Sequence, residues 1–258
     1  MKPLAMITGA SSGIGRELAT VAAADGYDLI LVARREDKLR EVAQACEVQH
    51  GTKTKILSAD LSREPHWDLV SDCMTASADR LEVMVNNAGF GGSGRIVDLE
   101  WNKQKDMINV NITALTYLSR HAARLMEQRN TGYIMNVAST AAFLPGPLMS
   151  VYYASKAYVL HFSEGLAGEM KGTGVVVSAL CPGPTESEFL VASDIERPYF
   201  FKGPVPTSQD VAVWSWSAMK RGKIVAVHSW KNVILTQSLR FMPRALMRTT
   251  TRYLNRPE

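Results

Sequence analysis

The sequence predicts an α/β fold, a doubly wound parallel sheet of about seven strands with helices on both faces. Short apolar runs alternate with longer helical patterns along the chain. The runs are rich in Val, Ile and Leu on both faces, as in parallel strands buried on both sides. The first run passes straight into a glycine turn and then a helix. Alternating strands and helices imply a right-handed, parallel sheet between two helical layers. Such sheets bind ligands beyond the C-terminal ends of their strands. The chemistry is therefore expected in the turns that follow strands.

The first strand is Leu4–Thr8. The turn Thr8-Gly9-Ala10-Ser11-Ser12-Gly13-Ile14-Gly15 follows, and helix Ile14–Asp25 after it. Glycines allow a tight turn and close approach of backbone to a pyrophosphate, whose charge a helix N-terminus favours. The spacing is G-x3-G-x-G, not the commoner G-x-G-x-x-G. A plain turn with Ser11 or Ser12 as N-cap is the simpler reading. The strand before and the βαβ unit beyond favour a dinucleotide. The same residues satisfy G-x-S-x-G, the elbow of serine hydrolases, with Ser11 as nucleophile and Asp194 or Asp210, then His228, behind it. An elbow on the first strand leaves no earlier loop for a second oxyanion donor, which makes this the remote alternative.

The second strand, Asp28–Ala33, runs into Arg34 and Arg35. An acid here would hold a ribose 2′-hydroxyl, whereas an arginine meets a 2′-phosphate. NADP(H) is therefore expected over NAD(H), with Arg34 as the first contact. Glu36 and Asp37 suit the first turn of helix Glu36–His50, where the dipole favours acids. Strand Thr54–Ser58, helix Pro65–Ala78 and strand Leu81–Asn86 continue the alternation. A long helical pattern, Trp101–Arg129, holds Asn111, an amide of a kind that is often structural.

Strand Gly132–Ala138 ends at Ser139, a hydroxyl on the same edge as the glycine turn. Tyr152 and Lys156 open helix Tyr152–Lys171 and share one face at a spacing of four. Tyrosine, with a pKa of about 10, is a poor acid–base at neutral pH. A nearby ammonium favours the phenolate, so the pair is a candidate proton donor. Tyr153 has Ala157 at that spacing and is the weaker candidate. Strand Val175–Cys181, helix Ser208–Arg221 and strand Lys223–Val227 complete the alternation.

In this order the motifs resemble the short, single-domain branch of the short-chain dehydrogenase/reductase family. The matches are T-G-x3-G-x-G at Thr8–Gly15, Asp60 after the third strand, N-N-A-G at Asn86–Gly89, Asn111, Ser139, Y-x3-K at Tyr152 and Lys156, and P-G at Pro182-Gly183. They extend to about residue 230. The resemblance implies a Rossmann-type fold and NADP(H) along Thr8, Gly9, Ser11, Ser12, Gly13, Ile14, Gly15, Arg34 and Arg35. It implies adenine contacts at Asp60 and Leu61 and sugar-side contacts at Asn87, Ala88 and Gly89. Pro182, Gly183, Thr185 and Ser187 would meet the nicotinamide. Tyr152 is then the general acid, Lys156 lowers its pKa and bonds the ribose, Ser139 holds the carbonyl oxygen, and Asn111 anchors a water relaying protons to Lys156. Two positions depart from the pattern: Ser12, where NADP-preferring members often carry a basic residue, and Ser187, where threonine is usual.

These features imply a reductase or dehydrogenase for a small apolar carbonyl or alcohol. A non-enzymatic NADP(H)-binding sensor or scaffold on the same fold is the alternative. Residues 184–206 lack periodicity, and loops of that length are usually functional. Phe189 in this loop, with Phe143 and Met149 after Ser139, is expected to line the substrate pocket. The resemblance also implies a homodimer or homotetramer through helices Trp101–Arg129 and Tyr152–Lys171.

Composition agrees with an ordinary soluble globular protein. The chain has 258 residues, 46% of them hydrophobic, and a formal net charge of +4, too mild to imply nucleic acid. Five histidines show no ligand spacing, so no metal is expected. Cys46, Cys73 and Cys181 form no close pair and read as buried thiols in a reducing compartment. Lys2 precedes only the short run Leu4–Ile7, unlike a signal peptide, and no apolar run spans a bilayer. A cytoplasmic location is expected. Residues 1–230 would form the catalytic unit, with 231–258 a basic amphipathic helix of the same domain. That segment holds Lys231, Arg240, Arg244, Arg248, Arg252 and Arg256 against Glu258, a net of +5. Leu235, Leu239, Met242, Leu246 and Tyr253 mark an apolar stripe, bent or restarted at Pro243. A docked helix with its arginines in water is the simplest reading; membrane-surface attachment and a subunit contact are the others.

Overall fold

The computed structural model describes residues 1–186, 188–189 and 205–256. Among them, seven strands form one parallel sheet in the order β3-β2-β1-β4-β5-β6-β7. They are β1 (Leu4–Thr8), β2 (Asp28–Ala33), β3 (Thr54–Ser58), β4 (Leu81–Asn86), β5 (Gly132–Val137), β6 (Val175–Cys181) and β7 (Val225–Val227). The helices are α1 (Gly13–Ala24), α2 (Glu36–His50), α3 (Glu64–Thr75), α4 (Trp101–Ile108), α5 (Leu115–Gln128), α6 (Ser150–Glu169), α7 (Ser208–Lys220), α8 (Trp230–Ser238) and α9 (Arg244–Leu254).

The pleat divides the core in two. Ala5 and Ile7 of β1 join Leu29, Leu31, Val83 and Val85 under α1, α2 and α7. Leu4 and Met6 join Ile30, Val32 and Met84 under α3 and α5. Both faces need apolar residues, which is why these strands lack a polar side. Each large aliphatic group so buried stabilises by roughly 1.5–3 kcal/mol. Strand order reverses between β1 and β4, which opens a crevice at the strand C-termini.

Three expectations about the elements need correction. The helical pattern Trp101–Arg129 is not one α-helix: Asn109–Ala114 adopts π-helical geometry between α4 and α5. Strand β7 begins at Val225 rather than Lys223, because only Val225–Val227 is in register with Ala179–Cys181. The C-terminal stripe is also wrong in phase. Pro243 lacks an N–H and restarts the helix, so a spacing counted through it does not describe one face. Within α9 the inward positions are Met247 and Thr251, with Asn255 just beyond; Leu235, Leu246 and Tyr253 are exposed, while Leu239 is buried.

Candidate active site

A cleft of about 590 Å³ opens at the strand C-termini. Its floor begins at the junction of two turns. Thr8 Oγ1 donates to Val85 O at 3.3 Å and accepts from the Asn87 and Ala88 amides, both at 3.0 Å. Asn87 Nδ2 returns bonds to Thr8 O at 3.0 Å and Gly9 O at 3.2 Å. The turn after β1 is thereby locked to the turn after β4. Gly9 has φ +67°, and a Cβ there would sit 2.8 Å from Ala88 Cα. A Cβ on Gly15 would run into Gly9 O. These glycines are required by backbone packing.

The N-terminus of α1 opens into the cleft through Ser12, Gly13 and Ile14, and Ser12 makes no side-chain cap bond. Uncapped N–H groups at a helix start attract anions. Arg34, Arg35, Asp60 and Leu61 border the same cleft. Arg35 bonds Glu188 at 3.0 Å and Ser11 Oγ at 3.3 Å. Burial works to raise the Asp60 carboxyl, but two bonds from Ser62 and the charges of Arg34 and Arg63 outweigh it and hold it below its ordinary value.

Ser139, Tyr152 and Lys156 meet further along the cleft. Ser139 stands where β5 gives way to a 3-10 turn, and its Oγ accepts from Ala141 N at 3.1 Å. Lys156 Nζ donates to Val137 O at 2.7 Å and lies 5.9 Å from the Tyr152 ring centroid. Burial lowers the Lys156 ammonium to about 8, against a small opposing effect from Cys181. Burial pushes the Tyr152 phenol above its ordinary value, while a hydrogen bond with Ser139 works the other way. In this geometry the Lys156 ammonium is turned to the Val137 carbonyl, and burial sets the direction of the Tyr152 shift.

Asn111 sits in the π-helical segment, a geometry frequent at functional sites. Its Nδ2 donates to Phe90 O and Ser155 Oγ, both at 3.0 Å, and its Oδ1 accepts from Phe90 N at 3.2 Å. It stands behind Gly89 and does not border the cleft itself. A Cβ on Gly89 would lie 3.0 Å from Asn111 Oδ1 and 3.4 Å from Lys156 Nζ.

Met149 and Phe189 line the cleft, with the Phe189 ring 5.3 Å from that of Tyr152. Phe143 does not; it packs against the cluster of Ala138, Ala142 and Leu160. Pro182, Gly183 and Thr185 border the cleft; Ser187 lies outside the described residues. Ser11 has Arg35 as its partner, and neither His228 nor Asp210 lines the cleft. Asp210 instead completes a capping box with Thr207. The geometry therefore contradicts the hydrolase reading for these two residues; Asp194 is outside the described set.

Sequence reasoning missed one wall. Asn232, Leu235, Thr251 and Leu254 of α8 and α9 also line the cleft. Asn255 fixes this wall: Tyr153 Oη donates to Asn255 Oδ1, and Asn255 Nδ2 donates to Pro147 O, both at 2.9 Å. The spacing Met247-Thr251-Asn255 was the available signal, an inward stripe with polar members.

The chain matches the family described as short chain dehydrogenase over residues 3–197. The very-long-chain 3-oxoacyl-CoA reductase of Anas platyrhynchos is 36% identical over 210 residues, 78% of this chain and 64% of that protein. The chain therefore spans less than two thirds of that relative's length. A short-chain dehydrogenase from Sphingobium yanoikuyae in complex with NADPH superposes with a TM-score of 0.84 at 32% identity, covering 93% of this chain and 94% of that one. A family member from Burkholderia phymatum in complex with NAD shares the fold, with a TM-score of 0.84 at 24% identity over 95% of each chain. The uncapped α1 N-terminus and the arginines beyond β2 give this cleft the donors that a nicotinamide dinucleotide needs. A family match from the first strand past the Tyr152 helix, with a superposition across nearly the whole fold, makes the chain a member of the short-chain dehydrogenase/reductase family of oxidoreductases.

Proposed function

We propose that the chain is an NADP(H)-dependent oxidoreductase that reduces the carbonyl of a small apolar substrate, or oxidises the matching secondary alcohol, with Tyr152 as the proton donor in reduction. The observation that carries this reading is the convergence of Ser139, Tyr152 and Lys156 on the cleft that the glycine turn also borders. When bound, the dinucleotide supplies the hydride or accepts it. The α1 N-terminus holds the pyrophosphate, and Arg34 and Arg35 hold the 2′-phosphate. Ser139 and Tyr152 hydroxyls donate to the substrate oxygen. Tyr152 gives up its proton to that oxygen as the carbonyl carbon becomes an alcohol carbon. The phenolate left behind is stabilised by the Ser139 hydroxyl and the Lys156 ammonium. Asn111 positions Phe90 and the helix carrying Ser155. The apolar walls at Met149, Phe189 and Leu254 favour a substrate with little polar surface, and the name of the duck relative puts 3-oxoacyl groups among the first to try.

The test is NADPH oxidation against apolar aldehydes, ketones and 3-oxoacyl thioesters, with Tyr152→Phe beside the wild type. General acid catalysis contributes about 10²–10⁴-fold, so kcat should fall by that factor while NADPH still binds. Tight NADPH binding by a wild type that turns over none of the panel would overturn the reading in favour of a sensor or scaffold.

A further inference from the structure

We propose that residues 229–256 form a docking face for an anionic lipid surface, set beside the mouth of the cleft. Seven of the sixteen large apolar side chains that stand exposed among the described residues fall in this stretch. Trp230 is 69% exposed, Ile234 60% and Phe241 88%. Lys231, Arg240, Arg244, Arg248, Arg252 and Arg256 are exposed as well, and the stretch contains no acidic residue. In α9 the two classes lie on different sides of the helix. Leu246 and Tyr253, seven apart, share one, and Arg244, Arg248 and Arg252, four apart, share the other. Only the long arginine stems can therefore bring the basic groups to the plane of the apolar ones.

Apolar groups with basic groups in one surface are what an interfacial contact requires. The former enter the headgroup boundary, the latter meet lipid phosphates, and long basic stems reach outward to do so. A second copy of the chain is a poor occupant. A two-fold contact sets a patch against itself, which here means six positive charges against six with no acid to pair them. No helix among the described residues is long and apolar enough to cross a membrane, so the contact lies in the interface plane. Leu235 and Leu254, from the same two helices, line the cleft. An apolar substrate leaving the lipid would therefore enter without crossing bulk water. The docking rests on exposure and charge and does not depend on the reaction proposed above.

Flotation with vesicles of phosphatidylcholine, with and without about one third phosphatidylglycerol, tests this. The wild type should float with the anionic vesicles and stay behind with the neutral ones. Binding should fall steeply as salt rises to about 1 M, where the screening length shrinks to about 3 Å. Phe241→Asp and the triple change Arg240→Glu, Arg248→Glu, Arg252→Glu should each weaken binding at least tenfold, given roughly fivefold per basic group near an anionic surface. Unchanged thermal melting of these variants would show that they fold; the salt series tests the same point without them. No binding, binding blind to lipid charge, or a wild-type dimer that Phe241→Asp turns into monomer would each overturn the proposal.

Discussion

Lys156 is a buried cation with a backbone carbonyl as its close partner. Its folded value of about 8 lies below the ordinary 10.5. Between those values the unfolded chain binds more protons than the folded one, so this group makes stability rise as pH climbs from about 8 to 10.5. Denaturant unfolding should show the wild type gaining roughly 3 kcal/mol over Lys156→Met across that window; parallel curves would refute the assignment. Arg35 gives a second prediction. Its bond to Glu188 occupies the guanidinium that the proposed function gives to a 2′-phosphate. Arg35→Ala should weaken NADPH roughly tenfold, as loss of a charge-assisted bond does, and leave NADH unchanged. Glu188→Gln should shift affinity modestly toward NADPH; fluorescence titration reads both. Tyr152, Lys156 and Ser139 were legible because each stands in a local motif. Glu188 and Asn255 were not, since their partners lie 153 and 102 residues away.

At the level of elements, the central strands β1, β2, β4 and β6 were legible because their buried runs are almost wholly apolar, whereas the short edge strand β7 blurred at its start. The π-helical segment was not, because one wider turn scarcely disturbs the apolar spacing on either side. Nor was the polar network beneath the site. Asn86 Nδ2 donates to Ser119 Oγ and Asn136 Oδ1, both at 2.9 Å, and Asn136 Nδ2 donates to Ser163 Oγ at 3.0 Å. It ties β4 and β5 to α5 and α6, and its members sit in unrelated stretches of sequence. Removing a member of such a buried network leaves its partners unpaired in a low-dielectric setting, and Asn86 Oδ1 already lacks a partner. Asn136→Leu leaves Asn86 and Ser163 buried with fewer partners and should cost about 3 kcal/mol, read as a lower denaturant midpoint with an unchanged slope.

Over the whole molecule, the C-terminal stretch departs furthest from what its sequence predicted, because Pro243 resets the helical phase. Asn255 ties that stretch to α6 beside Tyr152. Asn255→Ala should cost about 1–3 kcal/mol and raise KM for bulky ketones more than for small ones, with NADPH binding unchanged; steady-state kinetics on a size series checks it. From the family resemblance we propose a homodimer or homotetramer through α4–α5 and α6, and a monomeric mass by sedimentation would count against it. The lock between Thr8, Asn87 and Ala88 has one more consequence. Two segments about eighty residues apart share their hydrogen bonds before any ligand arrives. The amides of Asn87 and Ala88 should therefore exchange with deuterium slowly in the free protein. The cradle is already ordered, so little conformational entropy is surrendered when a dinucleotide settles into it.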